Sequence, residues 1–227
     1  MTINKKREKP YKAFLFDLNG TMIDDMPYHI RAWHGLINGF GRTISLDETK
    51  LQCYGKNHEV LERTLPGRFS EAEKDKISVE KEKAYQEEYR PHLQLIKGLD
   101  LFLENAYRER IPMAIGSAAI LFNIDFVLKG LQLEKYFSAI VSADDVNKSK
   151  PDPETFLKCA EALQIDPADC LVFEDSPKGT EAAHRAGMDS LVITTMHTPA
   201  EFDPVNVIGY IGYYTPELYE QLMQQQG

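Results

Sequence analysis

The sequence predicts a doubly wound, mostly parallel α/β sheet with a helical segment inserted after the first strand. Three observations carry that expectation. Short, nearly continuous apolar runs recur at 13–17, 112–116, 139–142, 170–173 and 190–193, as strands buried on both faces do. Helical periodicities separate the later runs: Leu99, Phe102, Leu103, Ala106 and Tyr107; then Phe156, Ala160 and Leu163; then 179–186. Finally, residues 25–92 hold no convincing buried strand.

In chain order, the first run ends in Asp17-Leu-Asn-Gly-Thr21. Within 25–92, Ile30, Trp33, Ile37 and Phe40 recur at helical spacing behind Pro27, a residue suited to a first helical turn. Ser70 and Glu73 form a capping-box pattern ahead of a highly charged helix, with Ile77, Ala84 and Tyr85 expected on its inner side. The expected organisation is a core domain of 1–24 and 93–227 and a helical cap domain of 25–92. A disordered tail is expected at 224–227.

Composition narrows the function. The chain has 227 residues, 43% of them hydrophobic, ample for a core and far from a low-complexity or disordered composition. With 26 basic and 35 acidic residues the formal charge is −9, which disfavours nucleic acid or an anionic membrane as the main partner. The basic cluster Lys5, Lys6, Arg7 and Lys9 reads as a solvated terminus. No stretch approaches the roughly 20 apolar residues of a membrane span. No signal peptide is recognisable. The three cysteines, Cys53, Cys159 and Cys170, are odd in number and lack metal-site spacing. A cytoplasmic, soluble, monomeric protein is the expectation.

In doubly wound sheets ligands sit beyond the carboxyl ends of the strands, so the residue after each apolar run matters. The first run presents Asp17 with Asn19-Gly20; a plain strand-to-turn junction reads equally well. The second ends in Ser117-Ala118-Ala119, a hydroxyl that taken alone reads first as a helix N-cap. After the third comes Lys150 between Ser149 and Pro151, either a solvated lysine or one held at the sheet edge by the prolines. The fourth ends in Glu174-Asp175-Ser176, a helix start or a carboxylate pair needing a cation, which Mg²⁺ shared with Asp17 would supply. Taken in order, these are a nucleophile, an oxygen donor, a countercharge and a metal site, the parts of phosphoryl transfer.

Asp17-x-Asn-Gly-Thr21, Ser117, Lys150-Pro151 and Glu174-Asp175 resemble the four motifs of the haloacid dehalogenase superfamily, and the inserted helices look like its small cap. Within it, Phe16-Asp-Leu-Asn-Gly20, Tyr28-His-Ile-Arg-Ala-Trp33, Ser149-Lys-Pro151 and Glu174-Asp-Ser176 resemble the β-phosphoglucomutase subfamily. The resemblance implies that Asp17 forms an aspartyl-phosphate. It also implies that Asp17, the Asn19 carbonyl and Asp175, with Glu174 nearby, hold Mg²⁺. Ser117 and Lys150 would bind the phosphoryl oxygens, with backbone N–H groups around Ala118 assisting. Gly20, Thr21, His29 and the cap residues Lys56, Asn57 and Lys81 complete the implied substrate site, and the implied partner is a small phosphorylated metabolite.

Two departures stand out. Asn19 occupies the place of the family's acid/base Asp, and an amide cannot give and retrieve a proton. Either a deliberate Asp→Asn change or a natural loss of turnover would account for it. The cap loop 52–57 offers Lys56 and Asn57 where the mutase has an arginine, and a lysine lacks its bidentate fork. Phosphatase and mutase therefore both stand, beside a non-catalytic phosphometabolite binder and a metal-free dehalogenase-like hydrolase, against which Glu174-Asp175 speaks. His34, His58, His92, His184 and His197 show no ligand spacing, and Cys53 and Trp33 read as packing residues.

Overall fold

The computed structural model describes residues 9–224. Lys5, Lys6 and Arg7 of the basic cluster and residues 225–227 of the expected tail lie outside the described residues. Strand β1 (Ala13–Phe16) is followed by four helices, α1 (Met26–Gly39), α2 (Leu46–Gln52), α3 (Asn57–Thr64) and α4 (Glu71–Tyr89). Then come α5 (Leu99–Arg108), β2 (Met113–Gly116), α6 (Leu121–Leu131), β3 (Ala139–Val141) and α7 (Glu154–Leu163). The chain closes with β4 (Cys170–Glu174), α8 (Pro177–Arg185), β5 (Asp189–Ile193), β6 (Val207–Ile211) and α9 (Leu218–Met223).

The strands form one parallel sheet in the order β3-β2-β1-β4-β5-β6. Strand β1 is central, with Phe16 level with Ile115 of β2 and with Phe173 of β4. Asp17, Ser117, and Glu174 with Asp175 thus leave three neighbouring strands at the same carboxyl edge. The strand order reverses here, between β1 and β4, the place where doubly wound sheets leave a crevice.

Apolar clusters cover both faces of the sheet. One joins Phe14, Phe16, Phe102 and Phe173 with Tyr214 and Tyr219; the other joins Leu15, Ala114, Phe156, Val172 and Ala183. The four inserted helices enclose their own cluster of Trp33, Ile37, Ile44, Val60, Leu61, Leu65 and Ile77. Ser70 and Glu73 close the expected capping box at α4, with the Ser70 backbone N–H donating to Glu73 Oε2 at 2.8 Å.

Three expectations need correction. Strand β6 was missing from them: Gly209 breaks its apolar run, and as an edge strand it has a single neighbour among the described residues. Tyr107 is 47% exposed, beyond the inner face of α5. Ile77 and Tyr85 face inward as expected, but Ala84 is exposed and Lys81 and Glu82 are buried, so the inner face of α4 mixes charged with apolar groups where an apolar stripe was expected.

Candidate active site

Each side chain of the site is placed by a turn that the sequence dictates. After β1 the chain tightens so that the N–H groups of Thr21 and Met22 both donate to the Leu18 carbonyl. Gly20 takes φ +75° within this turn, and a Cβ there would stand 2.1 Å from Asp175 Oδ2, so only glycine fits both conditions. Thr195 Oγ1 and Tyr214 Oη hold the turn by donating to the carbonyls of Gly20 and Thr21 at 2.7 and 3.1 Å. After β4, Ser176 caps α8 by accepting from the Gly179 N–H, which frees Glu174 and Asp175 to face the crevice. A Cβ on Gly179 would meet the Glu174 carboxyl carbon at 1.8 Å, so this glycine makes room for that side chain.

Lys150 Nζ donates to Asp17 Oδ1 at 2.7 Å and to Glu174 Oε1 at 2.8 Å. The other Glu174 oxygen accepts from the backbone N–H groups of Asp175 and Ser176, both at 2.8 Å. Carboxylate oxygens of Asp17, Glu174 and Asp175 lie within 4.8 Å of one another. All three side chains are buried, and Lys150 bridges only two of them.

The electrostatics follow. Burial, aided by Glu174, pushes the Asp17 carboxyl up to about 7 despite Lys150. Burial, with Glu174 and Asp17 adding to it, drives Asp175 well above the ordinary carboxylate range. Burial pulls Lys150 down, but Asp17 and Glu174 outweigh it and keep the ammonium charged. Buried carboxylates converging beyond the reach of one lysine fit a hard divalent cation, and the space Gly20 leaves beside Asp175 fits it too.

A second cluster lies beside the first. Asn19 Nδ2 donates to Asp25 Oδ2 at 2.6 Å and faces His29 Nε2 at 3.0 Å. Tyr85 Oη donates to the same Asp25 oxygen at 2.5 Å, and its ring stacks on His29 at 3.8 Å. Lys81 Nζ bonds His29 Nδ1 at 2.6 Å and Glu82 Oε1 at 3.0 Å, and Asn57 Nδ2 donates to that Glu82 oxygen at 3.0 Å. His29, Lys81 and Asn57 are thereby joined to Asn19 through a network that is buried at Asp25, His29, Lys81 and Glu82 and half-buried at Asn19 and Asn57.

Other expected residues fall outside these bonds. Ser117 is buried at the end of β2 and accepts from the Ala119 N–H at 3.2 Å; α6 starts only at Leu121, so Ser117 is not its cap. Ala118 follows it half-buried, and Thr21 Oγ1 is buried without a hydrogen-bond partner among the described residues. Lys56 points elsewhere, its ammonium donating to the Val146 carbonyl and its N–H to Ser149 Oγ at 3.2 Å. Sequence reasoning missed Asp25, Tyr85 and Glu82 as site residues. The available signal was Asp25 at a helix start: its side chain makes no cap hydrogen bond there and turns inward instead.

Residues 14–193 match the family model of the haloacid dehalogenase-like hydrolases. The chain belongs to that family. It is 28% identical to a fructose-1-phosphate phosphatase of Escherichia coli over 80% of this chain and 95% of that protein. It is 30% identical to a β-phosphoglucomutase of Bacillus subtilis over 78% of this chain and 80% of that one. The crystal structure of a β-phosphoglucomutase from Clostridium difficile superposes with a TM-score of 0.80 at 25% identity, covering 94% and 97% of the two chains. Among the described residues no helix is long and apolar enough to cross a membrane.

Proposed function

We propose that the protein transfers phosphoryl groups through an aspartyl-phosphate on Asp17, with Mg²⁺, acting on a small phosphorylated metabolite such as a sugar phosphate. The observation that supports this best is the convergence of Asp17, Lys150, Glu174 and Asp175 at one carboxyl edge of the sheet. Relatives that are a fructose-1-phosphate phosphatase and a β-phosphoglucomutase point to the same substrate class.

In this reading Asp17 attacks phosphorus and the bond from phosphorus to the leaving oxygen breaks. Lys150 offsets charge on Asp17 and on the transferring oxygens, and the Ser117 hydroxyl binds one of those oxygens. Asp17, Asp175 and the Asn19 carbonyl, with Glu174 behind them, would hold Mg²⁺, which supplies charge neutralisation to the phosphoryl group. Water or a second hydroxyl then attacks the aspartyl-phosphate and frees Asp17. Helices α1–α4 serve as the cap over residues 25–92, excluding water while the substrate is bound. Asn19 can hold a hydroxyl but cannot carry its proton, so turnover is attenuated by about 10²–10⁴ relative to an acid/base residue.

Asn19 itself favours one second reading, a phosphometabolite binder without turnover. Phosphate release from p-nitrophenyl phosphate and a panel of sugar phosphates decides between them, the aryl leaving group needing least protonation. The panel includes a β-hexose 1-phosphate with its bisphosphate activator. We expect slow release that EDTA removes and that Asp17→Asn lowers about 10⁴-fold or more. Free sugar with phosphate identifies a phosphatase; an isomeric hexose 6-phosphate identifies a mutase. Tight binding with no product from any substrate would leave the binder.

A further inference from the structure

Asp25 is fully buried, and its carboxylate is a hub of donors. Oδ2 receives Asn19 Nδ2 at 2.6 Å and Tyr85 Oη at 2.5 Å, and lies 3.2 Å from His29 Nε2. Oδ1 receives the Gly20 N–H at 3.2 Å, a proton it shares with the Ile23 carbonyl. The proton positions follow from the partners. Lys81 can only donate, so His29 Nδ1 accepts from it and the ring N–H is Nε2–H, aimed at Asp25. An ionised carboxylate can only accept, so the Asn19 amide must turn its NH₂ toward Asp25. The amide's remaining polar atom is Oδ1, a pure acceptor.

A carboxylate at position 19 would meet a different situation. Its oxygen would take the place of Nδ2, 2.6 Å from Asp25 Oδ2 and 3.0 Å from His29 Nε2, setting two acceptors of like charge against each other in a part-buried site with a single His29 N–H between them. Asp25 has no room to withdraw, because Tyr85, His29 and the Gly20 N–H hold it from other sides. We propose that Asp25 is the positioning residue that makes residue 19 an amide: the two form one carboxylate–amide unit, and an acid at position 19 works only once position 25 gives up its own carboxylate. The inference rests on the phosphoryl-transfer reading for its catalytic consequence, though not for the pairing itself. It also changes how Asn19 is understood, since restoring Asp at that position alone does not rebuild an acid/base residue here.

The test is a cycle of four full-length proteins: the parent, Asn19→Asp, Asp25→Asn and the double variant that exchanges the two groups. Thermal unfolding is followed in EDTA without substrate, at one pH. Asn19→Asp is expected to lower Tm by about 5 °C in the parent and by less than half of that when Asp25→Asn is present. Asp25→Ser, whose hydroxyl both donates and accepts, repeats the cycle if the Asp25→Asn protein does not fold. In the second arm, Mg²⁺-dependent phosphate release from an alkyl phosphate is compared between Asn19→Asp and the exchanged protein. The exchanged protein should gain about 10²-fold, in kcat with KM little changed. Equal Tm losses in both backgrounds, or full rescue by Asn19→Asp alone, would overturn the pairing. Coupled Tm values with no phosphate release from any of the proteins would uphold the pairing and overturn the phosphoryl-transfer reading instead.

Discussion

Helix α5 lies against the sheet with Leu99, Phe102, Leu103 and Ala106 inward, whereas α4 turns Lys74, Ser78, Lys81, Glu82 and Gln86 inward beside Ile77, Tyr85 and Tyr89. Both faces are buried, yet one is greasy and the other carries charge. The ring of Phe102 meets those of Phe14, Phe16, Phe173, Tyr214 and Tyr219, so its surroundings are close-packed and need no directional bonds. Lys81 is 3% exposed and Glu82 2%; the ammonium bonds His29 and Glu82 Oε1, and Asn57 donates to that same oxygen, while Glu82 Oε2 has no hydrogen-bond partner among the described residues. The difference teaches that burial serves stability on the sheet, while on α4 it serves to hold polar groups over the site.

That contrast can be sharpened by measurement. The largest stability effect is expected from Phe102→Ala, at about 3–5 kcal/mol for a cavity in the aromatic cluster, read as a lower urea midpoint. Lys81→Met should cost about 3 kcal/mol, because it strands Glu82 in a buried site. Adding Glu82→Leu should recover most of that loss. If the two changes simply add, the α4 pair is not a unit and the contrast fails. Phe102→Ala, by comparison, should have no polar substitution that rescues it.

The carboxylate edge offers a pH test with a defined sign. Asp17 rises from 3.8 to about 7, chiefly through burial, so between those values the folded protein holds a proton that the unfolded chain has released. In EDTA, stability should therefore fall as pH rises from about 4 to about 7, relative to an Asp17→Asn protein lacking this group. Mg²⁺ should flatten the difference by binding the folded state. A pH dependence identical in the two proteins would show that Asp17 is not the source. The smallest effect is expected at Ser70→Ala, about 1 kcal/mol for a lost N-cap at the exposed start of α4, measured by urea unfolding.

Much of the fold was legible in the sequence, and the reasons are local. The runs around Phe14, Ile115, Val172 and Leu191 are apolar on both sides because both faces of a parallel strand are covered. Strand β6 was not legible, since Gly209 interrupts its run and its pairing with β5 is a long-range matter. The inner face of α4 was misread for a related reason. Ala84 looks inward by polarity, but the helix is oriented by Ile77, Tyr85 and Tyr89, and this rotation carries Lys81 and Glu82 inside. Of the candidate site, Asp17, Lys150, Glu174 and Asp175 could be read from their places after apolar runs, because strand ends share one edge.

Sequence alone determined the alternation of strands and helices, the insertion after β1 and the order of chemical groups along the chain. Those depend on periodicity and on turn residues such as Gly20 and Ser176, which act within a few residues. Only the tertiary structure decided that Asn19 faces Asp25, that Tyr85 stacks on His29 and that Lys81 reaches His29 from a helix 52 residues away in sequence. Such contacts arise from how a rigid helix face settles on the sheet edge, and no local pattern encodes that orientation.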